Sequence, residues 1–196
     1  MFTGIVQSVG KIVAVEDTGG DVRLRIAADD LNLSDVSPGD SIAVNGVCLT
    51  VVELAGDKFS ADVSRETLGV TTLGLLAVGH AVNLEPSLKL GAPLGGHLVS
   101  GHVDGISRVV SMEPEARSIR MGFELPAQLS RYVAKKGSVT IDGTSLTVNG
   151  VSDTEFFVNI VPHTSERTIM GAYSVGTEAN IEVDMIARYL ERLIQN

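Results

Sequence analysis

Eight small polar residues fall into four pairs at one spacing: Thr3 and Ser100, Cys48 and Ser145, Thr50 and Thr147, and Thr67 and Thr164 are each 97 positions apart. Such residues beside glycine let a ligand approach exposed backbone N–H and C=O groups closely. Their recurrence suggests two related pockets for two related ligands, with ordinary turn and strand-end hydrogen bonding as the plain alternative for any one of them. Whole classes of mechanism lack their residues. There is no G-x-x-x-x-G-K-[ST] phosphate loop, no G-x-S-x-G elbow and no H-E-x-x-H helix. The glycine-dense stretch from Gly91 to Gly105 lacks the lysine and helix start that a phosphate loop requires. His97 and His102 are five apart in an expected strand, so they point to opposite faces and make a poor metal pair. No metal site is expected.

The bulk composition narrows the field. With 196 residues, 44% apolar and 20% charged, the chain can bury a real core and is not disordered. Aromatic residues make up 4% and Trp is absent, so a planar ligand must be held mainly by aliphatic packing and backbone hydrogen bonds. A net charge of −9 with a pI near 4.8 opposes nucleic-acid binding, which relies on Lys and Arg. The single cysteine cannot form an internal disulfide, which fits a reducing compartment. Met1-Phe2-Thr3-Gly4 lacks a basic leader segment and no apolar run approaches about 18 residues. A cytoplasmic protein without a membrane span is expected.

What positions the paired residues is an internal repeat. Asn45-Gly46-Val47-Cys48-Leu49-Thr50-Val51 lies over Asp142-Gly143-Thr144-Ser145-Leu146-Thr147-Val148, and Val82-Asn83-Leu84-Glu85 over Ala179-Asn180-Ile181-Glu182, without a gap. At this offset 19 of 86 pairs from Met1/Leu98 to Pro86/Val183 are identical, against roughly one in fifteen from average composition. Each unit reads as short alternating strands: Val22 to Ile26, Ser41 to Val44, Leu49 to Val52, Phe59 to Ser64 and Ala81 to Glu85, with partners starting at Ile119, Ser138, Leu146, Phe156 and Ala179. Turns are expected at Thr18-Gly19-Gly20, Pro38-Gly39-Asp40, Asn45-Gly46 and Gly56-Asp57. Five or six such strands in under ninety residues favour a closed barrel. Leu31 to Val36 with Ala127 to Ala134, and Glu66 to Leu73 with Glu166 to Met170, are candidate short helices. Ile186, Tyr189, Leu190, Leu193 and Ile194 form the apolar stripe of a terminal helix, which packs on its own barrel or, preferably, on other subunits. The chain divides into barrels at 1–88 and 98–184, a linker at 89–97 and a helix at 185–196.

Met1-Phe2-Thr3-Gly4-Ile5-Val6, Gly95-Gly96-His97-Leu98-Val99-Ser100-Gly101-His102-Val103-Asp104-Gly105 and Asp142-Gly143-Thr144-Ser145-Leu146-Thr147-Val148-Asn149 resemble the signature segments of the riboflavin synthase family, alpha-subunit type. Glu66-Thr67-Leu68 and Val161-Pro162-His163-Thr164 extend the resemblance over nearly the whole chain. It departs at Val47, where some members carry a second cysteine, and at His163.

The resemblance implies an all-β fold of two tandem six-stranded Greek-key barrels with a C-terminal α-helix at the centre of a homotrimer. It implies conversion of two 6,7-dimethyl-8-ribityllumazine molecules into riboflavin and 5-amino-6-ribitylamino-2,4-pyrimidinedione, without metal or redox cofactor. The active site would lie between the first barrel of one subunit and the second barrel of a neighbour. Association with lumazine synthase is a further implied partnership. By matching positions, the first pocket would use Gly4, Ile5, Val6, Cys48, Leu49, Thr50, Asp62, Val63, Ser64, Arg65, Glu66 and Thr67. The second would use Gly101, His102, Val103, Lys136, Ser145, Leu146, Thr147, Asn159, Ile160, Val161, Pro162, His163 and Thr164. Ser41, Cys48, His102, Asp142 and Asp184 match positions implicated in activity. His102 is the natural base or proton shuttle. Cys48 either adds to a ring carbon as thiolate or serves as a small buried hydrophobe. Two other classes compete: a non-catalytic lumazine- or flavin-binding protein of the same family, and a bare interaction module of two barrels.

Overall fold

The computed structural model describes residues 1–194, so Gln195 and Asn196 of the expected helix lie outside the described residues. The first barrel consists of β1 (Ser8–Asp17), β2 (Val22–Ala27), β3 (Ser41–Val44), β4 (Val47–Ala55), β5 (Lys58–Val63) and β6 (Ala81–Pro86), closed in the order β1-β2-β5-β4-β3-β6. The second repeats this with β7 (Gly105–Glu115), β8 (Ser118–Glu124), β9 (Ser138–Ile141), β10 (Thr144–Val151), β11 (Glu155–Ile160) and β12 (Glu178–Val183). Because β2 pairs with β5 rather than β3, each barrel is a Greek key, and closure leaves no open edge. Alternation does the sorting: Val47, Leu49 and Val51 of β4 enter the core, while Cys48 and Thr50 face outward.

Four elements differ from the sequence reading, and each has a local cause. β1 and β7 were not anticipated, because bulges between Ile12 and Ala14 and between Val109 and Ser111 insert a residue that breaks the two-residue period. Leu31 to Val36 is not a helix; the Asn32 side chain accepts the Ser34 N–H at 2.9 Å and diverts the backbone into a turn. Its counterpart does coil, as a 3-10 helix at Ala127–Tyr132. The helices expected at Glu66 to Leu73 and Glu166 to Met170 are α1 (Arg65–Val70) and α2 (Pro162–Arg167), each followed by a 3-10 turn. α2 starts earlier than expected because Pro162 suits a first turn. α3 (Met185–Ile194) ends the described chain, and among the described residues no helix is long and apolar enough to cross a membrane.

The barrels meet on a pseudo-twofold axis. Asn45-Gly46 and Asp142-Gly143 form left-handed hairpin turns, with φ of 46° and 78° in one and 42° and 76° in the other. The turns sit back to back, so a Cβ on Gly46 would lie 2.7 Å from Gly143 N and one on Gly143 2.8 Å from Gly46 N. Beside them two buried asparagines cross the axis. Asn83 Nδ2 donates to Asp142 O and Asn180 Nδ2 to Asn45 O, both at 2.8 Å. Their Oδ1 atoms accept Ile169 N–H at 2.8 Å and Thr72 N–H at 2.7 Å. Phe2 and Val99 close the axis with a two-way backbone bridge of 2.8 and 3.1 Å.

Symmetry fails at Asp142. Asn45 Oδ1 accepts Asn83 N–H at 2.7 Å and Asp142 Oδ1 accepts Asn180 N–H at 2.8 Å, but Asp142 Oδ2 also accepts the Tyr173 hydroxyl. Leu76 stands where the second barrel has Tyr173. Burial pushes the Asp142 carboxyl up to about 7 and Tyr173 well above the usual phenol range.

Gly46→Ala is expected to destabilise the protein by about 3 kcal/mol or more, from left-handed strain plus the clash. Gly79→Ala, also at positive φ but in open space, should cost only about 1–2 kcal/mol; urea midpoints check the difference. The native state holds the Asp142 proton more tightly than the unfolded chain, so its contribution falls as pH rises between about 4 and 7, by up to about 4 kcal/mol. Asp142→Asn is expected to fold and to flatten most of that pH dependence, read from unfolding at pH values on either side of the interval.

Candidate functional site

Two buried carboxylates build the site. Glu85 on β6 accepts the Thr3 N–H and hydroxyl, each at 2.7 Å, and the Gly4 N–H at 3.0 Å. Glu182 on β12 accepts the Ser100 N–H at 2.8 Å, its hydroxyl at 2.6 Å and the Gly101 N–H at 3.0 Å. Burial raises the Glu85 pKa even against these three donors. Each clamp fixes a strap, and each strap crosses to the other barrel. Ser145 N–H donates to Gly4 O at 2.7 Å, and Cys48 N–H to Gly101 O at 2.9 Å. A side chain on either glycine would collide, since a Cβ on Gly4 or Gly101 would lie 2.6 Å from the Cβ of Ser145 or Cys48.

The crossing regroups the residues that the family resemblance assigns to each pocket. The resemblance groups Gly4, Ile5 and Val6 with Cys48, and Gly101, His102 and Val103 with Ser145. The structure exchanges the two straps: Gly4 lies on Ser145, Gly101 lies on Cys48, and Val103 packs against the first barrel's core. A repeat identifies equivalent residues, whereas a pseudo-twofold exchange makes neighbours of non-equivalent ones.

On the first half-site, Cys48 is half-buried and Thr50 exposed, with Ser41 opposite Thr50 on β3. Phe2, Ala43, Val99 and Cys48 form a small apolar cluster under the strap. Leu49 and Val63 belong to the core, so only their backbone faces outward. Asp62 is paired with Arg23 at 2.7 and 2.9 Å, and that partner lowers its pKa. Ser64 caps α1 by accepting the Thr67 N–H at 3.2 Å; Arg65 and Glu66 are exposed on that helix. His102 is exposed on the strap.

On the second half-site, Ser145 is half-buried and Thr147 exposed, while Leu146 and Ile160 enter the core. His97 Nδ1 lies 2.7 Å from Ser145 Oγ, and the His97 backbone N–H donates to Thr3 O at 3.1 Å. Burial lowers the His97 pKa, with Asp184 and Glu182 opposing. The segment that carries His97 is irregular rather than the expected strand, and its contact with Ser145 arises from tertiary folding. Asn159 Nδ2 donates to Glu115 at 2.9 Å, while its buried Oδ1 has no partner among the described residues. Val161 caps α2, with Pro162 and Thr164 half-buried and His163 exposed. Lys136 holds a left-handed φ of 70° where the first barrel has Gly39. Ile5 and Val6 of the crossing strap are exposed and half-buried.

Asp142 lies on the inter-barrel axis with both oxygens engaged, and Asp184, whose charge acts on His97, caps α3 by accepting the Ile186 N–H at 3.0 Å. Each half-site is therefore an outward sheet face with hydroxyl or thiol side chains, roofed by a strap whose backbone is fixed. Such a surface suits a flat polar molecule. Equivalent positions carry unlike chemistry: Cys48 against Ser145, His102 against Ile5, Asp62 against Asn159, Glu66 against His163.

Residues 3–87 and 100–184 match the lumazine binding domain, one copy per barrel. The chain is 47% identical over 194 residues to the riboflavin synthase of Photobacterium phosphoreum, covering 99% of this chain and 89% of that one. It is 46% identical over 200 residues to that of Mycobacterium bovis, covering 100% and 99%. The solved structure of LumP complexed with riboflavin aligns with a TM-score of 0.85 at 30% identity, covering 93% of this chain and 99% of that chain. LumP complexed with 6,7-dimethyl-8-(1'-D-ribityl) lumazine gives 0.82 at 28% identity, with the same coverage. Two lumazine-binding repeats filling two barrels, with full-length identity of this order, make the chain a member of the riboflavin synthase family.

Proposed function

We propose that the chain catalyses the dismutation of two 6,7-dimethyl-8-ribityllumazine molecules into riboflavin and 5-amino-6-ribitylamino-2,4-pyrimidinedione. It is a transferase of a four-carbon unit. One observation carries this beyond the family: two half-sites share one frame but not one chemistry. Identical frames hold identical molecules; unlike side chains give them unlike roles. The reaction needs that division, because one lumazine must give up four carbons and the other receive them. Atoms balance between two substrates and two products without an oxidant or reductant.

Orientation supplies much of the rate, since effective molarities for well-aligned pairs reach about 10⁵ to 10⁸ M. The lumazine 7-methyl group is a carbon acid, and in this reading its proton is assigned to His102, which is exposed on the first half-site's strap. The Cys48 thiol and the Ser41 and Thr50 hydroxyls share that outward face. The second half-site offers the Ser145 hydroxyl beside His97, with Lys136 nearby in sequence.

The assembly belongs to the same proposal. α3 touches its own barrel through polar groups, Glu191 with Arg131 and Tyr132, and Arg188 with Asp104. Its stripe of Ile186, Tyr189 and Leu193 is 55%, 69% and 72% exposed. Other copies of this helix are the natural cover, giving a homotrimer in which the first barrel of one subunit faces the second of its neighbour. A cytoplasmic location and association with lumazine synthase stay with the family resemblance.

Purified protein incubated with dimethyl-ribityllumazine is expected to form one riboflavin per two substrates, followed by absorbance, and His102→Gln to lower kcat by about 10²-fold or more. Binding without turnover in the parent would establish a lumazine- or flavin-binding protein instead. Ile186→Glu combined with Leu193→Glu is expected to yield monomers by sedimentation; a persisting trimer would remove α3 as its organiser.

A further inference from the structure

The two straps share a carboxylate clamp but differ beyond it. In the first, Gln7 Nε2 reaches back to Ile5 O at 3.1 Å, an exposed contact with no charge behind it. The second has a built latch at the matching place. Asp104 Oδ2 accepts the Val183 N–H at 2.8 Å and Arg188 Nη2 at 2.6 Å, and the same nitrogen donates to His102 O at 3.2 Å. The Asp104 side chain is only 12% exposed and Arg188 37%, so the carboxylate end of the ion pair is sheltered while the guanidinium reaches it from the surface. The peptide carrying the His102 imidazole is thus held from both sides, by Glu182 through Ser100 and Gly101 and by Arg188 through its own carbonyl.

We infer that Arg188 is a positioning residue for His102, coupling α3 to the first half-site through the Asp104 latch. The inference rests on the reading above that His102 acts there. It gives α3 a second office: the helix that presents an apolar stripe to solvent also fixes the backbone of the base. A misplacement of about 1 Å in a reacting group can cost about 10²-fold in rate, so releasing this carbonyl should act on turnover more than on binding.

The test uses full-length Arg188→Met, Arg188→Lys and Asp104→Asn. Arg188→Met and Asp104→Asn are expected to keep the parent's sedimentation mass and to lower kcat about ten- to a hundredfold with KM within about threefold. Arg188→Lys, which restores the charge but not the fork, should recover part of the rate. In protein labelled at its four histidines, the His102 imidazole resonance should move in both variants while that of His97 stays in place. Variants of parental mass whose kcat and His102 resonance match the parent overturn the inference. So does loss of assembly in both, which would make Arg188 a residue of the trimer alone. If the parent itself shows no turnover the functional reading fails, and the His102 resonance still decides whether Arg188 holds the strap.

Discussion

Everything in this chain hangs on two glycines that touch. Gly46 and Gly143 bring the hairpin turns of the two barrels to a separation that admits no side chain on either. That approach puts the Asn83 and Asn180 amides within reach of carbonyls on the opposite barrel, and each amide has a backbone donor and acceptor waiting. A buried amide network is stabilising only when every member is satisfied. Here satisfaction requires both barrels at once, in one orientation. The site inherits that orientation, because Cys48 and Ser145 each lie two residues beyond a turn glycine.

From this contact the straps follow. Glu85 and Glu182 are buried carboxylates whose burial is tolerated because three donors converge on each. The donors are the first residues of the straps, so the energy that solvates the carboxylate also aims the peptide. A ligand landing on either sheet face meets a roof that is already in place, which lowers the ordering cost of binding.

Much of this was legible in the sequence. The constant offset of 97 residues exposed the duplication, and alternation in β2 gave a strand because Leu24 and Ile26 enter the core while Arg23 and Arg25 stay half-buried on the other face. The bulged β1 was invisible to period-two reasoning, although the same bulge recurs in β7. The site residues rest on the family resemblance, and nothing in a linear sequence shows that each strap lies across the other barrel, as Gly4 does on Ser145 and Gly101 on Cys48. Glu85 and Glu182 were visible as an identical pair, yet nothing local distinguishes a clamp from a strand-end carboxylate. His97 lies in a segment that carries the family resemblance, but the contacts of His97 and Arg188 had no local signal, since their partners lie 48 and 84 or more positions away.

The exchanged straps also say something about how such a molecule can be divided. A first barrel alone would hold an arm with no surface beneath it and a Cys48 face with no arm above it. Two such fragments would answer each other's need, each arm laid across the other's sheet, with Asn83 crossing to a second Asn45 turn. In that light the native chain is an arm-exchanged pair whose halves were joined end to end. The segment after Pro86 does for the second barrel what mass action would have to do for a free one: it holds the missing half at a high and constant local concentration. Away from those shared contacts, a change in one half is not forced on the other. Cys48 and Ser145, or His102 and Ile5, are differences that a pair of identical chains could never hold.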